Sequence, residues 1–449
     1  MPVSKQRTPS PRSRLLTRVT CPHCWEKFPT ETILWVAEHS DLLGDPKLGE
    51  EQGRRFLPTR FNVQGDALDA KGFACQTLAC PRCHLPIPRC LLEMNPLFMS
   101  IAGAPASGKS FFLATMTWEL RKILGMNFGM SFTDADPSAN QLLNDYEASL
   151  FLNPESEKLM PLEGLIRKTE TQGDIYDHVN LDGHPVDYPR PFVFSMQPQE
   201  DHPNQARSSE LARVLCLYDN AGESFQVGQD TARSPVTRHL AQASVLFFLF
   251  DPTQDQRFRK FCQDNHDIEL SPGRGGPSRQ EPILQEIAVR VRRYAGLRHD
   301  EKHRRPLVVI LTKFDAWSHL LELEDRSEPW REVKATAESL GPMSGEKSHV
   351  KLGKRAALNV SAIETRSQQA RTLMRKLCPE IVNAAEAFAQ NVVYVPVSAL
   401  GWHTANDASS NTLSIRPCDT EPYWVTVPLL YAMARWMPGL IPVIQRKTS

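Results

Sequence analysis

A chain of 449 residues is longer than one small core needs and points to two or three units. With 41% hydrophobic and 23% charged residues its composition is that of an ordinary soluble globular protein. Lys plus Arg and Asp plus Glu number 52 each, so the molecule as a whole presents no field that would recruit a polyanion.

Residues 1–15 are a basic tail containing Pro and Ser, expected to be disordered. Lys5, Arg7, Arg12 and Arg14, with Arg18 just beyond, leave contact with nucleic acid or anionic lipid open beside a plain solvated tail. The opening lacks the charged-then-apolar run of a signal peptide. A cytoplasmic, reducing compartment is therefore expected, where paired cysteines more often hold metal than disulfides.

Six of the ten cysteines fall between Cys21 and Cys90. Cys21 and Cys24 form one C-x-x-C turn, Cys80 and Cys83 a second, and two such turns set four thiolates around a tetrahedral Zn²⁺. Residues 16–95 thus read as a zinc ribbon whose intervening 55 residues exceed the usual spacing of about 15 to 20, as an insertion would explain. Cys75, Cys90, His23 and His84 are competing ligands by position. Four thiolates leave no open position for water, so the site is expected to be structural.

Residues 96–124 predict a buried strand, a glycine-bounded loop and an amphipathic helix stopped at Gly125. The loop GAPASGKS fits G-x-x-x-x-G-K-[ST]. Gly103 and Gly108 let the backbone curl, and the amides of Ala106, Ser107, Gly108, Lys109, Ser110 and Phe111 line a concavity for phosphate at a helix N-terminus. Lys109 would reach the β and γ phosphates, and the Ser110 hydroxyl would meet Mg²⁺.

Asp136 and Pro137 read as the N-cap and first residue of the next helix, which gives Asp134 and Asp136 a structural role in preference to metal ligation. From 153 to 209 the chain is polar, with one strand-like run at PFVFSMQ. Apolar strands then end on Asp219 and Asp251, followed by 306–315 and 391–400, with helical stretches such as 282–295 and 364–390 between them. Such runs predict an α/β fold with a parallel sheet covered on both faces and functional groups at the strands' carboxyl ends. Residues 271–279 read as a surface loop, and 441–449 as a C-terminal tail. The apolar run before it, interrupted by Arg435 and by Pro428, Pro438 and Pro442, predicts a core-packed helix rather than a membrane span.

The strand ends carry a fixed order of motifs. Asp219 to Gly222 is D-x-x-G, where a carboxylate can hold Mg²⁺ through water and a glycine amide can meet a γ-phosphate. Thr312, Lys313 and Asp315 form T-K-x-D, whose carboxylate can accept guanine's N1–H and N2 amino group together. Ser398, Ala399 and Leu400 follow as S-A-L, a backbone contact point for O6.

This order resembles the translation-factor-like (TRAFAC) class of P-loop GTPases over about residues 96–440. The resemblance implies a P-loop NTPase three-layer sandwich that binds GTP and Mg²⁺, with Gly103 to Ser110 as the phosphate loop, Asp219 and Gly222 as a switch anchor, and Thr312 to Asp315 as the guanine reader. Two positions depart from the pattern. Thr312 stands where Asn is common, as in dynamin-like relatives, and Glu223 stands where many members carry a water-orienting Gln, leaving it between a catalytic and a surface role. Thr169 and Thr171 are candidates for the switch threonine, and Arg233 and Arg238 for an internal arginine finger. A zinc ribbon joined to such a domain resembles the bacterial double-GTPase family of predicted conflict and signalling systems, thought to act beside a second GTPase. A GTP-hydrolysing switch acting on a partner protein is the expected function. The alternative is a zinc-ribbon module binding nucleic acid or protein with a slow or structural nucleotide site.

Overall fold

The computed structural model describes residues 15–166, 176–219, 237–262, 279–321, 326–333, 355–407 and 412–444. Gly222, Glu223, Thr169, Thr171, Arg233 and nearly all of 271–279 lie outside them, as does the basic tail to Arg14.

Seven strands pair into one central sheet: β1 Asn95–Gly103, β2 Met130–Asp134, β3 Phe192–Pro198, β4 Arg213–Asp219, β5 Val245–Phe250, β6 Leu307–Leu311 and β7 Val392–Pro396. Their order across the sheet is β2-β3-β4-β1-β5-β6-β7. The five strands from β4 to β7 pair in parallel, and β3 is antiparallel to both of its neighbours. The expected parallel sheet is therefore broken at one strand, and β2 is an addition from a run too short and polar to stand out. The long helices are α1 Lys109–Ile123, α2 Gln141–Phe151, α3 Glu281–Ala295, α4 Val360–Leu377, α5 Pro379–Phe388 and α6 Val427–Trp436.

The alternation of side chains along β1, β3 and β4 divides the interior in two. Leu97, Met99, Ile101, Phe192, Phe194, Met196, Leu215 and Leu217 join the main core, which includes Phe112, Met116 and Leu120 of α1. Phe98, Val193, Val214, Cys216 and Tyr218 face the other way and pack against the cysteine-rich N-terminal unit. Over these three strands the covering layer is the ribbon together with Val179, Val186 and Tyr188.

Local differences from expectation have identifiable causes. The segment after α1 does not stop at Gly125. A π-helical turn, Leu124–Phe128, buries Leu124 and Phe128, and Gly129 ends it in the left-handed region at φ 65°. Asp136 caps a turn through the amides of Ser138 and Ala139 rather than α2. Asn140 precedes α2, and its side chain ties Asp134 Oδ1 at 2.6 Å to the Val193 backbone. Within 153–209 a hairpin, Tyr176–Leu181 with His184–Pro189, accompanies the expected strand. The 364–390 helix is two helices, since Cys378 leaves helical geometry before Pro379. The C-terminal run forms α6 with Val427 through Met433 buried, and among the described residues no helix is long and apolar enough to cross a membrane.

Candidate functional site

Two constellations of chemistry-bearing residues adjoin the β1–β4 strand pair, one packed on its face and one at its carboxyl end. In the ribbon, hairpins Arg18–Thr20 with Lys27–Pro29 and Leu78–Ala79 with Pro86–Ile87 each present one C-x-x-C turn. The four Sγ atoms of Cys21, Cys24, Cys80 and Cys83 are buried and lie within 4.8 Å of one another. The Cys21–Cys83 and Cys24–Cys80 separations are 3.7 and 3.6 Å. Tetrahedral Zn–S bonds of about 2.3 Å would set sulfurs about 3.8 Å apart, so the donor set fits zinc.

The amides of His23 and Arg82 donate to Cys21 and Cys80 Sγ at 3.3 and 3.4 Å, and such bonds favour thiolates. Burial pushes the Cys21 and Cys83 thiols well up while hydrogen bonds from its cysteine neighbours hold Cys80 down. Packed together without a cation, the four sulfurs cannot all ionise. A divalent cation such as Zn²⁺ would resolve the cluster. Cys75 and Cys90 stand outside it, with the Cys75 thiol directed to the Phe73 carbonyl.

The second constellation lines the carboxyl ends of the parallel strands. β1 ends at Gly103, where a Cβ would come within 2.6 Å of the Leu249 carbonyl oxygen, so only glycine fits against β5. Ala106 and Gly108 take left-handed φ angles of 57° and 87°, curling the loop before α1. Lys109 Nζ bonds the Gly103 and Ala104 carbonyls at 3.0 and 2.8 Å, folding its charge into the loop's concavity. Ser107 is fully buried with its hydroxyl unpartnered, while Ser110 and Phe111 are half-buried in the first turn of α1. Asp219, buried, ends β4 in register with Ile101, two residues before Gly103.

At the end of β6, Thr312 bonds the Phe250 carbonyl, Lys313 takes φ 52°, and Asp315 is 7% exposed. Ser398 Oγ donates to Asp315 Oδ1 at 2.5 Å and accepts the Gly401 amide at 3.0 Å. The T-K-x-D and S-A-L turns, 83 residues apart in sequence, are thus one unit, with Ala399 and Leu400 half-buried beside it.

One element of this site carries no role in the sequence pattern. Asp251, fully buried after β5, accepts the amide and hydroxyl of Thr253 at 2.9 and 2.7 Å and holds Lys313 Nζ at 2.6 Å. Gln254 in the same turn donates to the Pro105 carbonyl at 3.1 Å. Gln280, ahead of α3, exchanges two hydrogen bonds with the Asp251 backbone. Asp251 to Gln254 therefore bridge the glycine loop and the Asp315 turn. A D-P-T at the end of an apolar strand was the available signal, since Asp there caps its own turn. Arg238 is half-buried at the start of the short helix His239–Gln242.

No family model matches the chain. It is similar to the putative ESX-1 scaffolding and assembly protein SaeC of Mycolicibacterium smegmatis, 26% identical over 246 residues that cover 55% of this chain and 53% of that protein. The chain thus spans about half the length of the curated relative it matches.

Proposed function

We propose that the chain is a GTP-binding and hydrolysing switch that uses a structural zinc ribbon and acts on a partner protein. The observation that carries the reading is the joining of two half-sites: the Gly103–Ser110 loop and the Asp315–Ser398 pair, linked through Gln254, Asp251 and Lys313. A phosphate cradle and an acceptor for a base's N–H edge, held at the same sheet edge by a buried bridge, suit a nucleoside triphosphate bound across the strand ends. Asp315, positioned by the Ser398 hydroxyl, would accept guanine N1–H and N2–H, a donor pair that adenine lacks. Lys109 would exchange its two carbonyl partners for phosphate oxygens, and Ser110 and Asp219 would supply oxygen ligands to the Mg²⁺ that accompanies GTP. The chemistry is positioning and charge stabilisation. Glu223, in the segment after Asp219, is the candidate for orienting water.

Binding titrations with GTP, GDP and ATP, together with turnover, test this directly. Wild type should prefer guanine nucleotides, and Lys109→Ala should abolish turnover. Asp315→Asn should lose GTP affinity by on the order of 100-fold and gain preference for xanthine nucleotides, whose O2 accepts from the new amide. Unchanged preference in Asp315→Asn would remove that residue from base recognition.

A second reading, a protein-assembly module with a structural nucleotide site, is favoured by one surface feature. Leu57, Phe61, Val63 and Phe73 are all more than half exposed on the ribbon's insertion, and the matched relative's name is that of a scaffolding protein. Tight nucleotide binding without turnover would select this reading.

A further inference from the structure

The first zinc knuckle is bonded to the strand that ends in Asp219. Tyr218, one residue earlier, is 0% exposed, and both bonds of its hydroxyl go to the knuckle: it accepts from Trp25 Nε1–H at 3.1 Å and donates to the Pro22 carbonyl at 2.5 Å. The Trp25 ring lies against Tyr188, Tyr218 and His239 with centroid separations of 6.1, 6.0 and 6.3 Å. His239 stacks on Tyr218 at 4.9 Å, and its Nδ1 lies 2.7 Å from Ser100 Oγ, three residues ahead of Gly103. The knuckle therefore grips both strands whose carboxyl ends carry the glycine loop and the buried aspartate.

A phenylalanine ring would fill the space of Tyr218 equally well, so the hydroxyl serves the tie and not the packing. Successive Cα atoms are about 3.8 Å apart, and only one pair of soft dihedrals separates Tyr218 from Asp219. Fixing the first along the strand therefore fixes the second. We propose that Trp25 and Tyr218 are positioning residues that hold Asp219 for the Mg²⁺ of Mg·GTP, which makes the metal-loaded ribbon part of the nucleotide site. The inference rests on the GTP reading above and goes beyond it by assigning the ribbon a task inside the site.

The test uses the full zinc-loaded chain, titrated with a non-hydrolysable GTP analogue in magnesium-containing and magnesium-free buffer, with zinc content measured on each sample. Trp25→Phe and Tyr218→Phe should bind roughly 10-fold more weakly than wild type with magnesium and equally without it, because only the Asp219-dependent part of binding is disturbed. Trp35→Phe, a buried ribbon aromatic in the insertion, should match wild type in both buffers. If Trp25→Phe fails to retain zinc, Tyr218→Phe alone decides. Equal losses in both buffers, no loss in either, or the same loss in Trp35→Phe would overturn the positioning role while leaving GTP binding intact. A wild type that binds no guanine nucleotide in either buffer would overturn the GTP reading, and the positioning role with it.

Discussion

The two cysteine knuckles are built alike and docked differently. In each, the first cysteine's amide bonds the carbonyl five residues on, Cys21 to Glu26 and Cys80 to Leu85. In each, the residue after the second cysteine is forced into the left-handed region, Trp25 at φ 57° and His84 at φ 64°. Each also has a histidine paired to a carboxylate outside its own turn, His23 with Asp177 and His84 with Asp45. What differs is the neighbour. Trp25 enters the apolar face of the central sheet, whereas His84 meets Asp45 in the insertion, where Arg55 and the Lys47 and Leu48 amides complete a polar cluster. One fold element thus makes a structural joint on one side and a self-contained loop anchor on the other.

Removing what the two knuckles share should have the largest effect. Chelation, or serine in place of one cysteine of either turn, should release both knuckles together, because a single ion shared by the four thiolates would join them. The loss is on the order of 10 kcal/mol of local folding energy. It should also uncover the sheet face at Val193, Val214 and Tyr218. Zinc release, dye binding and a lowered unfolding midpoint should coincide, and Cys21→Ser and Cys80→Ser should behave alike. A Cys80→Ser protein that keeps its metal and midpoint would show the knuckles to be independent.

The next largest effect separates them. Trp25→Ala opens a cavity between ribbon and sheet and should cost about 3–5 kcal/mol, as for other buried aromatics. His84→Ala removes one partner from the buried Asp45 carboxylate, which keeps two amide donors, and should cost about 1–3 kcal/mol. Denaturant titration of the two variants measures the difference, and equal losses would mean that the joint on the sheet is no stronger than the anchor in the insertion.

How much of this was legible in sequence follows from which interactions are local. The C-x-x-C turns and the glycine loop are set by residues a few positions apart, and both stand where the spacing puts them. The strand ends at Asp219, Thr312 and Ser398 were legible because continuous apolar runs mark buried parallel strands. The docking of the ribbon was not. Trp25 and Tyr218 are separated by 193 positions, and nothing in that stretch carries a periodicity that links an indole to a phenol. The roles of Asp251 and Asn140 were missed for the same reason: each acts by bonding turns that are distant in sequence. The antiparallel β3 escaped because an apolar run states burial, not direction.

The smallest effect concerns Asp177, the carboxylate paired with the first knuckle. Burial alone would raise Asp177, but the His23 ring and the Arg190 guanidinium outweigh it and hold the carboxyl at about 2. Arg190 Nη2 is 2.6 Å and His23 Nδ1 3.4 Å from its two oxygens, which ties the first knuckle to the hairpin beside it. A carboxyl with a depressed folded-state value stabilises the fold above its unfolded value of about 3.9 and loses that contribution as pH falls through the folded value. The stabilisation should be about 2 kcal/mol at neutral pH and should disappear between about pH 4 and pH 2. Asp177→Asn should remove this part of the acid dependence, flattening stability against pH in that window relative to wild type. Asp45 is also lowered, against its burial, by the His84 hydrogen bond and the Lys47 amide, so it remains as the acid-sensitive group on the other knuckle. If Asp177→Asn and wild type lose stability in parallel from pH 4 downward, the joint between knuckle and hairpin is held by packing around Trp25 rather than by charge.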